Sequence, residues 1–522
     1  MNTSIVNTIL KKTSWQTKIH DNDICLKWIR EFSEQCADTD HNIVSNIINI
    51  LRNHSSYIYK SNNGTSEIDL EYYDWFTNTT FSLPYVKCKC NCLVCDGREY
   101  AIDNPDFDDD GNSIDESMEE SVEESVEESV SNGTTRIHWT NCECLIECNK
   151  TVDNILKSNV KSLNNLINGE LKEQFISCIE CYDKSDKHPN TNNMVSDIIH
   201  PSLYPYIKGM TRLNSNCNVK VDDNMVFQWL PANVFVERDN NGLIKTSFTS
   251  PINSIPFAQL DTNDKTDIND KPDTNDKPNT YSNNLSTQLY ESIEQIFSKF
   301  VPHFESCINK LVKDGMIDSL SNTNAKPFQL NDCQVIVKVQ EINLNQEQPL
   351  FGEGSWHLEG TIYERIIATG IYYYQMENIK DNQLNFRVKL PSNFDVDLNY
   401  PQDCSLYVEH HYGINEILGS NLYIGKIQTK EDLCLVFPNN FQHKVSSIEL
   451  NNKTKIGSRK ILVFFLIDPF KKILSTTDIE PQNEYIDYDT ACINRQLLMF
   501  DRKYEQTKQN SVYEREFSLC EH

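Results

Sequence analysis

The sequence predicts an α+β protein with a helical amino-terminal region and a jelly roll in its carboxy-terminal half. Near the amino terminus, NDICLKWIREFSEQC and HNIVSNIINILRNH place apolar residues at helical spacing. From residue 334 onward, β-rich runs such as QVIVKVQEI, RIIATGIYYY and KILVFFLID are separated by turn residues, with no helical pattern between them. Strands at this spacing are typical of sandwiches and barrels, among which the jelly roll is a frequent solution.

Two low-complexity inserts interrupt this pattern. The first, residues 103–133, is acidic and contains the tetrads DESM, EESV, EESV and EESV. The second, residues 259–284, contains the hexads DTNDKT, DINDKP and DTNDKP. Both segments are too polar to bury a core, so the sequence predicts that they are disordered.

The sequence pattern divides the chain into five predicted regions, and the acidic insert lies within the cysteine-rich one. The pattern in TQLYESIEQIFSKFVPHFESCINKL predicts a long helix before the β-rich half, and ACINRQLLMFDRKYEQT predicts another at the end. The regions are a helical region 1–80, a cysteine-rich region 81–185, an α/β linking region 186–330, the jelly roll 331–482 and a helical tail 483–522.

About half of the formal net charge of −28 comes from one segment. Thirteen acidic residues and no Lys or Arg lie between Asp103 and Val130. A chain this acidic lacks the electrostatic footprint of a nucleic-acid binder. The tract is interpreted as a solvating spacer, with docking of a basic protein partner as the alternative.

We expect the sequence to lack a membrane anchor. Its first ten residues lack a signal-peptide core, and the longest apolar run, ILVFFLI, is far below the about 20 residues of a membrane span. We therefore expect no membrane partner and an intracellular location, cytoplasmic or nuclear.

Eighteen cysteines in such a compartment should be mostly reduced, which makes their clusters candidate zinc ligands. The spacing is irregular, so reduced and partly buried thiols are the alternative interpretation. The clustered residues are Cys88, Cys90, Cys92, Cys95, Cys142, Cys144, Cys148, Cys178 and Cys181.

Two histidines and a carboxylate in the β-rich half form a candidate iron site. His357 and Glu359 are two residues apart in SWHLEGTIYERIIATGIYYY, so on a strand they share one face. His443 follows an apolar strand in VFPNNFQHKVSS. This ligand set is that of the facial triad, which holds Fe(II) and leaves coordination positions open. The hypothesis requires both imidazoles to converge on one ion.

A cation and two tyrosines are candidate cosubstrate residues. Arg459 precedes the apolar strand in GSRKILVFFLIDP and could pair bidentately with the far carboxylate of a dicarboxylic cosubstrate. Tyr372 and Tyr374 alternate on the strand after Glu359 and could reach the same molecule, although a core role is the commoner one. His200, in HPSLYPY, is assigned a packing role, with lining of a substrate entrance as the alternative.

The order His-x-Glu, His, Arg resembles the pattern of the Fe(II) and 2-oxoglutarate dependent dioxygenases, whose core is a double-stranded β-helix, a cupin-like jelly roll. The blocks IIHPSLYPYIKGMTR, FQWLPANVFV, VIVKVQEINL, GSWHLEGTIYERIIATGIYYYQMENI and GSRKILVFFLIDP also resemble the mostly fungal "domain of unknown function 4246" family. That resemblance covers most of the chain from about Trp15 to Tyr504 outside the inserts and the cysteine-rich region. It implies His357, Glu359 and His443 as metal ligands and Arg459 as the 2-oxoglutarate anchor.

The leading functional hypothesis is therefore a dioxygenase of hydroxylase or demethylase type that uses Fe(II) and 2-oxoglutarate. It would oxidise a C–H bond of an unassigned substrate while 2-oxoglutarate is decarboxylated to succinate. One alternative is a non-catalytic, cupin-like binding or scaffold protein. The other is a zinc-binding protein that acts through its cysteine-rich region.

Overall fold

A computed structural model describes residues 2–35, 44–52 except 46, 152–254 except 183 and 185, 279–314, 327–390, 414 and 419–515. The acidic insert, the hexads and the cysteines from Cys88 to Cys148 lie outside these ranges. None of the described helices is long and apolar enough to cross a membrane.

The described residues contain both helices and strands. The helices include α1 (Asn2–Leu10), α2 (Trp15–Lys18), α3 (Asn22–Gln35), α4 (Gly169–Glu180), α5 (Asn279–Lys313) and α6 (Tyr488–Tyr513). Residues 152–159 are also helical, and so are the described residues between 44 and 52. The first strands are β1 (Lys161–Asn164), β2 (Val195–Ile199), β3 (Tyr206–Ile207), β4 (Phe227–Gln228), β5 (Ala232–Arg238) and β6 (Ile244–Phe248). The later strands are β7 (Asp332–Leu344), β8 (Leu350–Phe351), β9 (Ile366–Glu377), β10 (Asn382–Lys389), β11 (Asn421–Thr429), β12 (Leu433–Pro438), β13 (Gln442–Val445), β14 (Ile448–Glu449) and β15 (Gly457–Ile467).

The long helix predicted before the β-rich half is α5. Its predicted apolar stripe is buried, as the exposures of Leu289, Ile293, Ile296, Phe297 and Phe300 show. The second insert, predicted to be disordered to residue 284, needs a correction because the α5 backbone is already helical at residue 279. Once a helix is nucleated, each further residue adds one hydrogen bond, so its start can extend into a polar stretch.

An eight-stranded sheet, here called the large sheet, organises the fold. Its strand order is β1-β12-β9-β15-β7-β5-β6, with β2 also paired to β7, and the neighbouring strands are antiparallel. The strands β1, β2, β5 and β6 come from the predicted cysteine-rich and linking regions. The large sheet therefore takes strands from both sides of the predicted boundary between residues 330 and 331.

The two faces of the large sheet are both covered. On the outer face, residues such as Leu462 and Phe464 of β15 pack against α4 and α5. On the inner face, Val463 and Phe465 of the same strand share a core with Phe386 of β10. The strand β10 belongs to a second, small sheet of order β11-β10-β13. Because successive side chains alternate between faces, one strand contributes to both cores.

Gly370 of β9 allows α5 to pack closely on the outer face. A Cβ added there would lie 2.8 Å from Phe300 Cδ1 and 2.8 Å from Phe304 Cζ. No flexible chain end is available to move aside, because both contacts are with buried aromatic rings.

We expect Gly370→Ala to lower the free energy of unfolding by about 1 to 3 kcal/mol, because α5 or its rings must shift. Chemical denaturation followed by circular dichroism measures the change. The control is Gly352→Ala, where an added Cβ meets nothing within 4 Å. A Gly370→Ala protein as stable as the Gly352→Ala protein would contradict the close packing of α5 on β9.

Candidate metal centre

His357 and His443 are brought together by main-chain pairing at the edge of the small sheet. The His357 N–H donates to the His443 carbonyl at 3.2 Å, and the His443 N–H donates to the His357 carbonyl at 3.0 Å. Residues directly opposite in an antiparallel pair place their side chains on the same face. The two imidazole centroids are accordingly 4.3 Å apart, so the rings converge as the hypothesis requires.

Glu359 directs its carboxylate at both imidazoles. Its Oε1 lies 3.2 Å from His443 Nε2 and 3.7 Å from His357 Nε2. One candidate ligand atom from each of the three residues lies within 4.8 Å of the other two. His443 is buried against Phe437 and Phe386, whereas His357 is only half-buried. The cluster therefore has an apolar wall behind His443 and a more open side at His357.

The hydrogen bond between His357 Nδ1 and the Ser355 carbonyl determines the tautomer of the neutral His357 ring. Its Nδ1 lies 2.8 Å from the Ser355 carbonyl oxygen, which can only accept, so Nδ1 carries the proton. In the neutral imidazole, Nε2 then presents a lone pair toward the carboxylate. Metal-ligating histidines usually donate their second ring N–H in this way. A metal cation fits a set of acceptor atoms that converge like this.

The three side chains also shift one another's pKa values. Burial lowers the pKa of His357, but the adjacent Glu359 carboxylate outweighs burial and raises it above the usual value. Burial raises the pKa of Glu359, yet hydrogen bonds from both imidazoles hold it well below its usual range. Burial and the neighbouring His357 lower the pKa of His443. Glu359 is therefore charged in this environment.

Asn439 positions Glu359 and was not identified from the sequence. Its Oδ1 accepts from the Glu359 N–H at 2.8 Å, and its Nδ2 donates to the carbonyls of Glu359 at 2.9 Å and Ile366 at 3.0 Å. The Asn439 N–H also donates to the Ile367 carbonyl. The amide thus joins the loop of Glu359 to the turn that leads into His443. The only sequence signal was the turn PNN after β12.

A second network fixes the loop that follows Glu359. Glu364 is fully buried and accepts from the main-chain N–H groups of Trp229 and Thr361. Arg502 of α6 pairs with Glu364 at 2.6 Å and stacks over the Trp229 ring at 3.6 Å. One turn further along α6, Gln506 donates to the Trp356 carbonyl. The helix α6 therefore holds both flanks of the His357–Glu359 segment.

Arg459 lies on the inner face of the large sheet together with Tyr373. It is 3% exposed, its guanidinium lies 5.0 Å from the Tyr373 ring centroid, and Nη2 donates to the Tyr373 hydroxyl at 3.4 Å. Among the described residues it has no carboxylate partner. A buried guanidinium without a counter-charge is costly, so this position favours an anionic ligand.

The structure corrects the prediction for Tyr372 and Tyr374, which face away from the metal centre. Both belong to the outer core under α4 and α5, where Tyr374 packs against Phe175 at 5.2 Å between ring centroids. Their hydroxyls donate to Asp432 and Glu341 at 3.3 Å. Because β9 alternates between two buried faces, Tyr373 is the tyrosine that shares a face with Arg459.

A second His–Asp–His cluster lies at β2, formed by His188, Asp197 and His200. His188 Nδ1 is 2.7 Å from Asp197 Oδ2, and His200 Nε2 is 4.0 Å from the same atom. Arg495 Nη1 is 3.8 Å from Asp197 Oδ2, and Gln340 donates to Oδ1 at 2.9 Å. The carboxylate therefore already has hydrogen-bond donors, and the nearby Arg495 pairs with a second acid, Asp186, at 2.6 and 2.8 Å.

The protonation of His200 also disfavours a metal in this second cluster. Burial lowers the pKa of His200 well below its usual value, so the ring is neutral. Its Nδ1 accepts from the Ser202 N–H at 3.2 Å, which leaves the proton on Nε2, the nitrogen that faces Asp197. Ligation through Nε2 would require the other tautomer. We therefore interpret this cluster as a closed ion-pair network, and His200, 5% exposed, has surroundings that suit a packing role.

Of the cysteines predicted to bind zinc, the structure describes Cys178 and Cys181 at the end of α4. Cys178 points into the outer core, where burial raises the pKa of its thiol, whereas Cys181 is exposed. Within the described part of the chain, neither belongs to a cluster of three candidate ligands. The other seven cysteines lie outside the described residues, so their role in zinc binding stays a prediction.

A family model described as "Protein of unknown function (DUF4246)" matches residues 137–262 and 316–489, which is more than half of the chain. The chain belongs to the DUF4246 family. His357, Glu359, His443 and Arg459 all lie within the second matched segment of this DUF4246 protein. No curated protein matches the sequence.

Several solved structures are similar to parts of this DUF4246 protein. IDO from Bacillus thuringiensis matches at 9% identity and a TM-score of 0.27, covering 61% of this chain and 94% of its own. The Fe(II)/α-ketoglutarate-dependent dioxygenase TqaL matches at 12% identity and a TM-score of 0.27, covering 65% and 95%. A prolyl hydroxylase from Trichoplax adhaerens, in complex with a hypoxia inducible factor peptide fragment, matches at 9% identity and a TM-score of 0.20. The match covers 63% of this chain and 96% of the hydroxylase chain. At these values the similarity carries no argument about activity.

We expect Asn439→Ala to weaken metal binding by about 10- to 100-fold, because it removes the amide that orients a ligand from outside the coordination sphere. Titration calorimetry with Co²⁺ measures the affinity. Asn452→Ala, which removes a turn amide whose Oδ1 accepts from the Thr454 N–H, is the matched control. Equal cobalt affinity in the two variants would show that Asn439 does not position Glu359.

The two His/carboxylate clusters should respond differently, in stability and in metal binding, when the carboxylate of each is replaced by an amide. We expect Asp197→Asn to cost about 3 to 5 kcal/mol of stability, because Arg495 and His188 lose a buried partner, while metal binding persists. Glu359→Gln should abolish metal binding at a smaller cost in stability. Denaturation and metal analysis of both variants test this, and loss of metal in Asp197→Asn alone would reverse the assignment.

The stability cost of Asp197→Asn should also depend on pH. Burial raises the pKa of Asp197, but the imidazoles of His200 and His188 and the Lys338 ammonium hold it well below its usual value. A depressed carboxyl pKa stabilises the fold above the unfolded-state value of about 4, and this contribution declines as the pH falls below it. The difference between wild type and variant should therefore shrink in denaturation series run below that pH.

Proposed function

We propose that this DUF4246 protein is an Fe(II) and 2-oxoglutarate dependent dioxygenase of hydroxylase or demethylase type. The observation that carries the proposal is the convergence of His357, Glu359 and His443, with the His357 proton held on the far side of its ring by Ser355. Two imidazoles and one carboxylate would hold Fe(II) while leaving coordination positions open. The nature of the C–H bond that is oxidised stays unassigned.

The strand order supports a double-stranded β-helix around this centre. Along the chain, β7 and β9 lie in the large sheet, β10 and β11 in the small sheet, β12 in the large, β13 in the small and β15 again in the large. The His357 segment adds to the small sheet beside β13. Repeated passage between two facing antiparallel sheets is the arrangement of a jelly roll.

Seven residues around the candidate metal centre have distinct roles in this proposal. His357, Glu359 and His443 would hold the ion, and Arg459 with Tyr373 would bind the distal carboxylate of 2-oxoglutarate. The Arg459 guanidinium supplies the charge, and Tyr373 orients it through its ring and hydroxyl. The apolar rings of Phe386 and Phe437 exclude water behind His443.

Bound Fe(II) would supply the activation of O2 that couples decarboxylation of 2-oxoglutarate to succinate with oxidation of a substrate C–H bond. The protein's contribution is to fix the ligands, orient the cosubstrate and keep the site dry. The networks of Asn439 and Glu364 fix the position of Glu359. The buried side of His443 keeps the site dry.

Anaerobic addition of Fe(II) and 2-oxoglutarate to the purified chain tests the proposal. We expect one iron per chain and a weak visible charge-transfer band, both lost in His443→Ala, and formation of succinate once O2 is admitted. Arg459→Gln should keep the iron and weaken 2-oxoglutarate binding by about 10- to 100-fold, the value of a charge-assisted hydrogen-bond pair. Arg212→Gln, at an exposed guanidinium, is the control.

The two alternatives predict different results in the same experiment. A non-catalytic binding protein would form no succinate, and His357→Ala would change nothing. A zinc protein acting through its cysteines would contain zinc that is lost on cysteine substitution and retained in His443→Ala. Either pattern without iron binding would refute the dioxygenase proposal.

A further inference from the structure

Thr369 of β9 is a polar residue on the inner face of the large sheet. Its neighbours Ala368 and Gly370 belong to the outer face, since Ala368 lies in the outer core and Gly370 faces Phe300 of α5. Because side chains alternate along a strand, Thr369 points to the inner face, as Tyr373 does further along β9. The side chain of Thr369 is 0% exposed, so it is enclosed between the two sheets.

Strand register places Thr369 beside the buried wall of the candidate metal centre. It lies opposite Phe437 of β12 on one side and opposite Phe465 of β15 on the other. Directly opposite residues of an antiparallel pair share a face, with their Cβ atoms about 5 Å apart. The centroid of the Phe437 ring is 5.0 Å from that of the His443 ring. Thr369 is therefore next to the ring that packs on one of the candidate metal ligands.

The Thr369 hydroxyl has no hydrogen-bond partner among the residues that the structure describes. The phenylalanines on both sides of it are buried and offer only apolar surface. By contrast, the buried hydroxyl of Thr246 on β6 donates to the Glu294 carbonyl at 2.7 Å. A hydroxyl buried without a partner is unfavourable, and such groups are rare in folded proteins. The Thr369 hydroxyl is therefore suited to a partner that is not part of the fold.

The position of Thr369 suits the cosubstrate better than the substrate. The candidate metal centre is more open at His357, whereas Thr369 is fully buried on the side of His443. Thr369 and Tyr373 share a face of β9 and are four residues apart, a spacing of about 13 Å along a strand. A five-carbon dicarboxylate with a hydrogen bond at each end spans about 12 Å. A molecule whose distal carboxylate is held by Arg459 beside Tyr373 can therefore reach the Thr369 hydroxyl with its other end.

We propose that the Thr369 hydroxyl donates a hydrogen bond to the metal-proximal carboxylate of 2-oxoglutarate. This inference rests on the proposed function and deepens it, because it names the residue that orients the reacting end of the cosubstrate. Arg459 holds the distal carboxylate, so the two residues bind opposite ends of one molecule on the same sheet face.

Two 2-oxo acids test the inference in cobalt-loaded protein without turnover. 2-Oxobutyrate has the same 2-oxo carboxylate as 2-oxoglutarate but no distal carboxylate, and titration followed in the visible spectrum measures the affinity of each. We expect Thr369→Val, which replaces the hydroxyl by a methyl group, to weaken both by about 10- to 100-fold, the value of one hydrogen bond to a charged group. Thr369→Ser, which keeps the hydroxyl, should restore most of the affinity. Arg459→Gln should weaken the binding of 2-oxoglutarate alone.

The melting temperature of the metal-free protein is a second readout. Thr369→Val removes a hydroxyl that has no partner in the fold, so the melting temperature should not fall. Thr246→Val is the matched control, because it removes the hydroxyl that donates to Glu294. It should lower the melting temperature and leave the affinities for both acids unchanged. Cobalt affinity equal to that of wild type shows that the metal centre of each variant is intact.

Several results would overturn the inference. If Thr369→Val changes neither affinity by more than twofold in a protein that binds cobalt and 2-oxoglutarate, the hydroxyl does not bind the cosubstrate and the proposed function stands. A fall in melting temperature as large as that of Thr246→Val would assign the hydroxyl a partner within the fold. A loss of 2-oxoglutarate binding without a loss of 2-oxobutyrate binding would place the hydroxyl at the distal carboxylate. If the wild-type chain binds neither cobalt nor 2-oxoglutarate, the proposed function fails and the role of Thr369 fails with it.

Discussion

The candidate site depends on one main-chain pairing, the reciprocal hydrogen bonds between His357 and His443. Each residue lies at the end of a different chain segment, and the pairing places both imidazoles on one side of the small sheet. Glu359 then reaches both rings because it is two residues from His357 on the same segment. Without this pairing, the carboxylate and the two rings would be unrelated features of a β-rich chain.

Among the described residues, two clusters contain two histidines and one carboxylate, and they differ in the partners of that carboxylate. At β2, Asp197 accepts hydrogen bonds from His188 and Gln340. It also lies 3.8 Å from Arg495, which itself pairs with Asp186 at 2.6 and 2.8 Å. At the candidate metal centre, no arginine or lysine among the described residues lies within 4.0 Å of Glu359. The same three residue types thus form an ion-pair network in one place and the candidate metal centre in the other.

Support for the metal centre comes from elements far away in the sequence. Helix α6 supplies Arg502 and Gln506 to the loop around Glu359, and Trp229 from the β4–β5 connection completes the Glu364 network. On the outer face, α4 and α5 cover the large sheet and leave its inner face for the site. The residues that hold Glu359 in place therefore come from regions that the sequence divided into separate domains.

Part of this arrangement could be read from the sequence because it depends on local spacing. The pair His357 and Glu359, the apolar stripe of α5 and the run of strands after residue 334 follow from side-chain periodicity alone. Side-chain periodicity could not show that Tyr373, and not Tyr372 or Tyr374, lies on the same face as Arg459. Both faces of β9 are buried, so its sequence has no polar alternation to indicate which tyrosine points inward.

The remaining features were decided by the tertiary structure, because they are contacts between residues distant in sequence. Asn439 bonds to Glu359 across 80 residues, and Asp186 pairs with Arg495 across 309 residues. Residue identity and side-chain periodicity set which residue types were available and which of them shared a face. Strand register and packing decided which of them met, since a shift of one residue would turn every side chain of a strand to its other face.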